Sequence, residues 1–378
     1  MRKAILLSII LIILGSCASI PKNDLDNSLD TLIEKPNFNY QIKLLPEQFN
    51  IYYFEKNKVE AIPIEIQGFL ANLYFYKNKI QYSPKIKIIP IKDSDCDNLE
   101  RQGGFSIVFD NTKIQNRKAV NCSEILPKSD TLYITNYPKN LEKFEYSFLV
   151  SRESEKKALM NRIKNSDKRF IVIDSLETND AEDIVNTLNQ NDKEIVEIAT
   201  FTESVSSQDL FSDLMMADRS KDRTRKLSRR ISRQLASDTR VRDDIDSFFL
   251  SVGLRDARNL KPALDYVSAK EFNIFMLNSW RQDEAYEDPE SDLGGTFNSD
   301  MPIMLPILLP EHIPNTKRNR KFAVGYDSFE ISMLLLGGVN TKDFIYKGLS
   351  GKIRINRKSI EREPYIFKIQ NDGIELLD

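Results

Sequence analysis

The chain has 378 residues, of which 41% are hydrophobic and 29% are charged, so it is long enough for two lobes of ordinary domain size and a sizeable core. Its 54 lysines and arginines nearly balance its 56 aspartates and glutamates, which gives a formal net charge of −2. No global field therefore attracts the chain to anionic lipid or to nucleic acid, and this balance argues against a nucleic-acid-binding protein.

Residues 1–17 have the pattern of a lipoprotein signal peptide. A basic start is followed by an apolar run of about a dozen residues, which is too short for the ~20 residues of a spanning helix. Gly15 and Ser16 then stand before Cys17, in the order of a lipobox. We expect this segment to be removed and Cys17 to carry several acyl chains such as palmitate, each adding roughly 0.8 kcal/mol of membrane binding per buried methylene.

The residues after Cys17 indicate where the chain is sorted. Ala18 stands where lipoproteins of the inner membrane typically carry aspartate, so the pattern predicts the periplasmic face of the outer membrane. Residues 18–37 are polar and proline-flanked, which predicts a flexible tether. In this oxidising compartment Cys96 and Cys122 either form a disulfide or remain two separate buried thiols.

Strands and helices alternate along residues 38–378, which is the pattern of an α/β protein with parallel strands. The first part of this region predicts one helix and three strands, over 64–82, 85–91, 105–109 and 131–135. Two clearer units of strand, helix and strand follow, over 169–199 and 245–278.

Residues 219–242 are dense in arginine and lysine. A basic helix suggests an anionic contact, such as peptidoglycan carboxylates, lipid headgroups or an acidic protein patch. However, Leu227, Ile231 and Leu235 recur at i, i+4 and i+8, which also fits a helix that packs by one face and exposes its arginines to solvent. We favour the second interpretation.

The side chains available for catalysis are few. His312 is the only histidine, which excludes a Ser/His/Asp triad around another imidazole and removes the usual ligands of zinc. Ser154 and Lys157 fit the Ser-x-x-Lys pattern of penicillin-binding proteins, but no Ser-Asp-Asn or Lys-Thr-Gly element accompanies them. We therefore expect a protein that is not an enzyme and that holds no metal and no cofactor.

Distinctive motifs run through the second half of the chain in a fixed order. They are an arginine-rich run before Asp-Ile-Asp and an apolar strand, a helix with a Lys-Pro step, a strand ending in Asp-Met-Pro, and glycine-containing C-terminal motifs, over 240–250, 257–264, 292–302, 325–329, 348–355 and 360–362. In this order and spacing they resemble the LppC/LpoA family of lipoproteins, which activate class A penicillin-binding proteins at the outer membrane. A thinner match begins at 146–155, and residues 38–143 match poorly.

The resemblance implies the fold of type I periplasmic binding proteins, which is α/β with two doubly wound parallel-sheet lobes joined by a three-crossing hinge. The expected crossings and lobes are as follows: crossings near 146–151, 297–302 and 350–355, lobe one over 38–147 and 301–350, and lobe two over 148–300 and 351–378. Well-known members carry a helical-repeat domain before this module, whereas here we expect only the tether before it.

The same resemblance implies a non-catalytic lipoprotein that binds a class A penicillin-binding protein, a peptidoglycan synthase, and stimulates cell-wall cross-linking. The alternative is a lipid-anchored periplasmic solute-binding receptor for a small molecule such as an amino acid or a muropeptide. The candidate cleft or interface residues are Ser151, Asp246, Asp300, Tyr326 and Asp327. Among them, Ser151 also fits a helix cap, and Asp246 fits a purely structural role beside a strand.

Overall fold

The structure is a computed structural model that describes residues 32–33, 42–54, 62–91, 103–110, 130–136, 145–176, 178, 180–234, 240–337, 344–356 and 359–377. Its helices are α1 Ile64–Ile80, α2 Arg152–Met160, α3 Ala181–Gln190, α4 Ser207–Leu214, α5 Ala217–Arg230, α6 Leu254–Val267 and α7 Arg320–Leu336. Its first strands are β1 Gln48–Phe54, β2 Lys85–Ile91, β3 Phe105–Asp110, β4 Thr131–Thr135, β5 Tyr146–Leu149, β6 Arg169–Ser175 and β7 Glu194–Phe201. The remaining strands are β8 Ser247–Ser251, β9 Asn273–Leu277, β10 Thr296–Asp300, β11 Phe344–Lys347, β12 Lys352–Asn356, β13 Ser359–Glu363, β14 Tyr365–Gln370 and β15 Gly373–Leu376.

The strands form two sheets, one for each lobe. Sheet one, in lobe one, has the order β11-β12-β13-β5-β4-β3-β1-β2, and sheet two, in lobe two, has the order β15-β14-β10-β9-β8-β6-β7. Pairing is parallel except at one end of each sheet, where β11, β12 and β13 pair antiparallel in sheet one and β10, β14 and β15 do so in sheet two. The predicted α/β fold with two doubly wound lobes is confirmed.

The central strands are apolar because both of their faces are buried. Every residue of β3, β4 and β8 is buried, which explains why these strands read as continuous apolar runs. In lobe two, α4 and α6 cover one face of sheet two, and α2 and α3 cover the other. On α6, Leu254, Ala257 and Leu260 recur at helical spacing and are buried.

The chain passes between the lobes three times. It leaves sheet one after β5, returns after β10, and leaves lobe one again between β13 and β14. The prediction that the third crossing lies near 350–355 is wrong, because β12 and β13 pair within sheet one, where Ile360 stands opposite Phe148. Residues 351–363 therefore belong to lobe one and not to lobe two, and the first boundary lies after Leu149.

The basic helix α5 does not pack as the sequence predicts. Leu227 is 46% exposed and Ile231 is 52% exposed, while Leu235 lies outside the described residues. The side of α5 that is turned to the body carries Ala217, the one buried residue of the helix. The apolar spacing therefore does not mark a packed face, and α5 stands largely in solvent.

The predicted tether is only partly covered by the structure. Most of residues 18–37 lie outside the described ranges, but Leu32 is 2% exposed, and its carbonyl oxygen accepts a hydrogen bond from the Tyr365 hydroxyl at 3.2 Å. This part of the segment packs at the third crossing and is not a free linker. In the parts of the chain that the structure describes, no helix combines the length and the apolar character that crossing a bilayer requires.

Two glycines allow α1 and α7 to pack backbone against backbone in lobe one. A Cβ atom on Gly68 would lie 2.1 Å from the Phe322 carbonyl oxygen, and one on Gly325 would lie 1.7 Å from the Glu65 carbonyl oxygen. Phe329 of α7 then packs directly on the aromatic core of the lobe. Any side chain at Gly325 must push the two helices apart.

We expect Gly325→Ala to lower the free energy of unfolding by about 1–3 kcal/mol, because overpacking outweighs the better helix propensity of alanine. Urea denaturation measures this change. Gly103→Ala is the matched control, since no atom lies within 4 Å of a Cβ at Gly103. A Gly325→Ala chain as stable as the control would show that the two helices separate freely.

Candidate functional site at the junction of the lobes

The carboxyl ends of the lobe-two strands and the three crossings meet at the junction of the lobes. In open α/β sheets, ligands bind at this edge of the strands. The chain segments after β9 and β10, the start of α2, the end of β13 and the start of α7 all bring charged side chains to this place. The segments that follow β1, β3 and β4 lie outside the described residues, so the site is built from these other elements.

Asp300 and Arg320 form an ion pair across the junction. Asp300 ends β10 and Arg320 begins α7, and their side chains are 0% and 3% exposed. Arg320 Nε lies 2.9 Å from Asp300 Oδ1, and its Nη2 lies 2.6 Å from Oδ2. Burial lowers the pKa of Arg320, but the Asp300 carboxylate outweighs it and the pKa is raised overall.

Further donors complete this pair. The Asn278 side chain donates to Asp300 Oδ2 at 3.1 Å, and the Met301 N–H donates to Oδ1 at 2.7 Å. Arg320 also donates to the Gln282 carbonyl oxygen at 2.7 Å. A buried ion pair is favourable only when such bonds satisfy its remaining atoms, and this one meets that condition.

A second buried pair joins the first and third crossings. Arg362, near the end of β13, lies 2.8 Å from Glu155 of α2, and both side chains are 0% exposed. The Trp280 indole N–H donates to the other Glu155 oxygen at 2.9 Å, and the Arg362 guanidinium lies 5.2 Å from the Trp280 ring centroid. Burial raises the pKa of Glu155, and the Arg362 charge opposes the rise.

Arg152 ties the start of α2 to the end of β9. It donates from Nε to the Asn278 carbonyl oxygen and from Nη2 to the Leu277 carbonyl oxygen, both at 2.6 Å, and it forms an ion pair with Asp180. Burial lowers the pKa of Arg152 to about 10, so the group stays charged at neutral pH. Among the described residues, the junction therefore holds Arg152, Arg320 and Arg362, each paired with a carboxylate of the chain itself.

Asp327 organises the neighbouring part of lobe one. Its carboxylate is fully buried in α7 and accepts four hydrogen bonds, from the Tyr346 hydroxyl at 2.7 Å, from the Leu349 N–H at 3.0 Å, and from the N–H and hydroxyl of Ser350. Gly348 permits this approach, since a Cβ there would lie 2.6 Å from both carboxylate oxygens. Burial raises the pKa of Asp327 to about 6, although its hydrogen bonds oppose the rise.

The structure places the five candidate residues from the sequence in different surroundings. Ser151 caps α2, since its hydroxyl accepts from the Glu153 N–H at 3.0 Å. Asp300 lies at the junction, whereas Tyr326 and Asp327 lie inside lobe one, and the Tyr326 hydroxyl lies 2.9 Å from His312 Nε2. All of these side chains are engaged by the chain itself.

Asp246 is not a cleft residue. It precedes β8 and accepts from the Lys168 and Arg169 N–H groups at 3.0 Å, so it lies at the amino edge of sheet two, opposite the junction. There it lines a cavity of about 640 Å³ together with Lys270 and Asn371. Asp246 is misplaced as a cleft residue because the residues before a parallel strand and those after it lie at opposite edges of the sheet, and its hydrogen bonds fit the structural role beside a strand.

The sequence reasoning missed the partners of the buried acids. Arg152, Glu155, Trp280 and Arg320 lie at the junction, yet none was selected as a candidate site residue, and Arg362 appeared only within a motif. The signal that was available is position: Arg152, Trp280 and Arg362 each stand within three residues of a strand end, whereas Arg320 begins α7 and carries no such signal.

Other predicted features lie outside the described residues. Cys17, Cys96 and Cys122 are all in undescribed segments, so lipidation and the disulfide stay predictions. Within the described ranges, no group of three or more histidine, cysteine, aspartate or glutamate side chains is placed to hold a metal ion.

Comparison with solved structures identifies the architecture. The C-domain of LpoA (YraM) from Haemophilus influenzae, a regulator of PBP1A, matches with a TM-score of 0.52 and 11% sequence identity, over 88% of this chain and 100% of that domain. The chain has an LpoA-like fold. Full-length LpoA from the same organism matches with a TM-score of 0.56 and 11% identity over 90% of this chain, and the present chain spans 60% of its length.

A solute-binding architecture is matched to a similar degree. A protein from Chromobacterium violaceum, described as a branched-chain amino acid ABC transporter, has a TM-score of 0.51 and 13% identity over 84% of this chain and 98% of its own. No protein-family model and no curated protein matches the chain. At these identities the similarities establish the fold, which is that of type I periplasmic binding proteins.

We expect Arg320→Ala to lower the free energy of unfolding by about 3–5 kcal/mol, because it leaves the Asp300 carboxylate buried without a cation. Urea denaturation measures the loss. The matched control, Arg354→Ala, breaks the pair with Glu363, whose side chains are 41% and 44% exposed, and should lose only about 0–1 kcal/mol.

The double variant Asp300→Asn with Arg320→Met removes both charges and should recover most of that loss. If Arg320→Ala were no more harmful than Arg354→Ala, the pair would not hold the junction together.

The raised pKa of Asp327 predicts a pH dependence of stability. Between its unfolded value of ~3.9 and its folded value of about 6, the folded chain binds more protons than the unfolded chain. The contribution of this carboxyl to stability is therefore complete below about pH 4 and is lost as the pH rises through 6. A shift of about two units corresponds to about 3 kcal/mol.

The stability difference between the wild type and Asp327→Asn should accordingly change by up to about 3 kcal/mol between about pH 4 and pH 7, as measured by urea denaturation at each pH. Asp372→Asn, at an exposed turn, controls for the loss of one carboxyl. A difference that stays constant over this range would contradict the assignment.

Proposed function

We propose that the protein is a non-catalytic regulator of peptidoglycan synthesis. It binds a class A penicillin-binding protein and stimulates its transpeptidase activity, and it acts from the periplasmic face of the outer membrane, anchored through the lipid on Cys17. The signal-peptide pattern of residues 1–17 supports the anchor and the compartment. The LpoA-like fold supports the partner, since the LpoA C-domain is a regulator of PBP1A.

Among the described residues, the charge pairs at the junction of the lobes are the observation that carries this proposal over the solute-receptor alternative. A receptor for an amino acid needs charged groups between the lobes that are available to a carboxylate and an amine. Here the acids that face the junction, Asp300 and Glu155, are already neutralised by Arg320 and Arg362. A ligand that displaced either arginine would have to replace an interaction whose loss costs about 3–5 kcal/mol.

Two lobes that are joined by buried ion pairs suit a protein that binds its partner through its outer surface. An activator must bind the active state of its synthase more tightly than the resting state, by ~1–3 kcal/mol for a 5- to 150-fold effect. A rigid partner surface loses little conformational entropy on docking, so more of its contact energy is available for that difference. The three crossings, tied together by buried charges, provide such rigidity.

The test is the transpeptidase rate of the same organism's class A synthase with and without the chain from residue 18 onward, which keeps every described residue. We expect direct binding and a rise of several-fold, because a 5-fold effect needs only about 1 kcal/mol of differential binding. Heat-unfolded protein at the same concentration is the control.

No binding and no rise at micromolar protein would contradict the regulator. A thermal-shift screen of amino acids and muropeptides then tests the solute-receptor alternative, since a ligand that binds only the folded chain raises its melting temperature. A concentration-dependent rise in melting temperature without synthase binding would favour the receptor.

A further inference from the structure

Helix α5 displays a straight row of cations to solvent. Its body-facing positions are small, with Ala217 buried and Ser220, Thr224 and Ser228 partly buried. On the opposite side four exposed basic residues recur at i, i+4, i+7 and i+11, which places them on one face of the helix. They are Arg219, Arg223, Lys226 and Arg230, and we call them the basic stripe.

In the part of the chain that the structure describes, no acid neutralises the basic stripe. The two acids of the helix, Asp218 and Asp222, pair instead with Lys221 at 3.3 Å and Arg225 at 3.2 Å. Within the described residues, no ion pair or hydrogen bond engages the side chains of the stripe. Four positive charges therefore face solvent along about 16 Å of helix, at 1.5 Å per residue.

The position of α5 is fixed by the body of lobe two. The Arg242 N–H donates to the Met215 carbonyl oxygen at 3.0 Å, in the turn that joins α4 to α5. Arg242 is itself paired with Asp244 at 2.7 Å. The stripe is thus presented by a folded element on the α4–α6 side of lobe two.

We propose that the basic stripe docks on the anionic headgroups of the membrane that anchors the chain. This inference rests on the lipid anchor of the proposed function. A protein partner would require an apolar centre in its interface, whereas the stripe contains only cations, and Leu227 and Ile231 lie on its flank. Lipid phosphates need no such centre, because arginine and lysine bind them by charge and hydrogen bonds.

The anchor brings the stripe within reach of such a surface. Leu32 is fixed to the body, so the residues from Cys17 to Leu32 span at most about 50 Å. A domain of this size has a diameter of about 50 Å, so most of its faces can turn to the membrane. Since one lipidated cysteine and one basic surface act together, a weak electrostatic contact is enough to select the orientation.

Docking through α5 would orient lobe two. Its α4–α6 face would turn to the membrane, and the face covered by α2 and α3, on the other side of sheet two, would turn to the periplasm. The net charge of −2 does not oppose this, because the membrane acts only on the charges within about one Debye length, 8–10 Å.

The test is co-sedimentation of the chain from residue 18 onward with vesicles of phosphatidylglycerol and phosphatidylethanolamine, and with vesicles of phosphatidylcholine alone. We expect binding to the anionic vesicles only, with loss of binding at about 0.5 M salt. Each basic residue near an anionic surface strengthens adsorption on the order of fivefold, so the fourfold variant R219E/R223E/K226E/R230E should bind at least about 100-fold more weakly.

The matched control reverses four exposed lysines elsewhere, at Lys43, Lys77, Lys85 and Lys157, and changes the net charge by the same amount. It should keep more vesicle binding than the stripe variant, and circular dichroism should show both variants folded. Failure of the wild type to bind anionic vesicles, or equal losses in the two variants, would overturn the proposal.

Binding of the stripe variant to the synthase distinguishes the membrane proposal from the regulator proposal. If the stripe variant bound vesicles like the wild type but lost binding to the detergent-solubilised synthase, the stripe would contact an acidic protein and the membrane proposal would be wrong. If vesicle binding behaved as expected while the synthase neither bound nor responded, only the regulator proposal would fail.

Discussion

The structure depends on the constraint that a charge removed from water must be matched by an opposite charge and by hydrogen bonds. Glu155 and Asp300 are both 0% exposed, and each receives an arginine from another element of the chain. Glu155 and Arg362 are 207 positions apart in sequence, so this pair forms only when the first and third crossings meet. Assembly of the crossings and burial of the charges therefore occur together, which makes the junction cooperative.

This arrangement bears on whether the two lobes can open and close around a ligand. Hinge closure requires crossings that absorb backbone rotation at low energetic cost. Here such rotation would pull buried charges away from their partners, and the side chain of Trp280 lies against both members of the Glu155–Arg362 pair. We therefore expect rotation at the crossings to be costly in this chain, which is the basis of the proposed function.

The sequence predicted most of the parallel strands, because strands buried on both faces have local apolar runs, but it missed β1. It placed the buried strand β4 and the partly exposed edge strand β2 at their observed bounds, and it recovered both strand, helix and strand units of lobe two to within a few residues. The third crossing was misplaced because the short antiparallel strands β12 and β13 alternate polar and apolar residues, and their neighbour in the sheet, β5, is far away in sequence. The hydropathy pattern of a segment predicts that it forms a strand, but it does not predict which strand of the sheet lies beside it.

The same limit applies to the site. Asp300 could be selected from its place at the end of a strand, but Arg320 belongs to no motif, and its approach to Asp300 depends on how α7 packs in lobe one. On α5, the apolar spacing of Leu227 and Ile231 suggested a packed face, yet the body accepts only the small side chains beside them. The face of a helix that becomes buried depends on the space left by the elements it packs against, and segments distant in sequence form that space.

The packing of α1 against α7 has a consequence for the order in which the chain folds. Lobe one begins near the amino terminus, yet α7 and β11 to β13, which complete it, follow all of the central strands of lobe two. The strands and helices from α2 to β10 are continuous in sequence and can collapse early, because their contacts are comparatively local. The amino-terminal lobe thus cannot be completed until most of lobe two has been made, so its first strands and α1 wait for the segments that cover them.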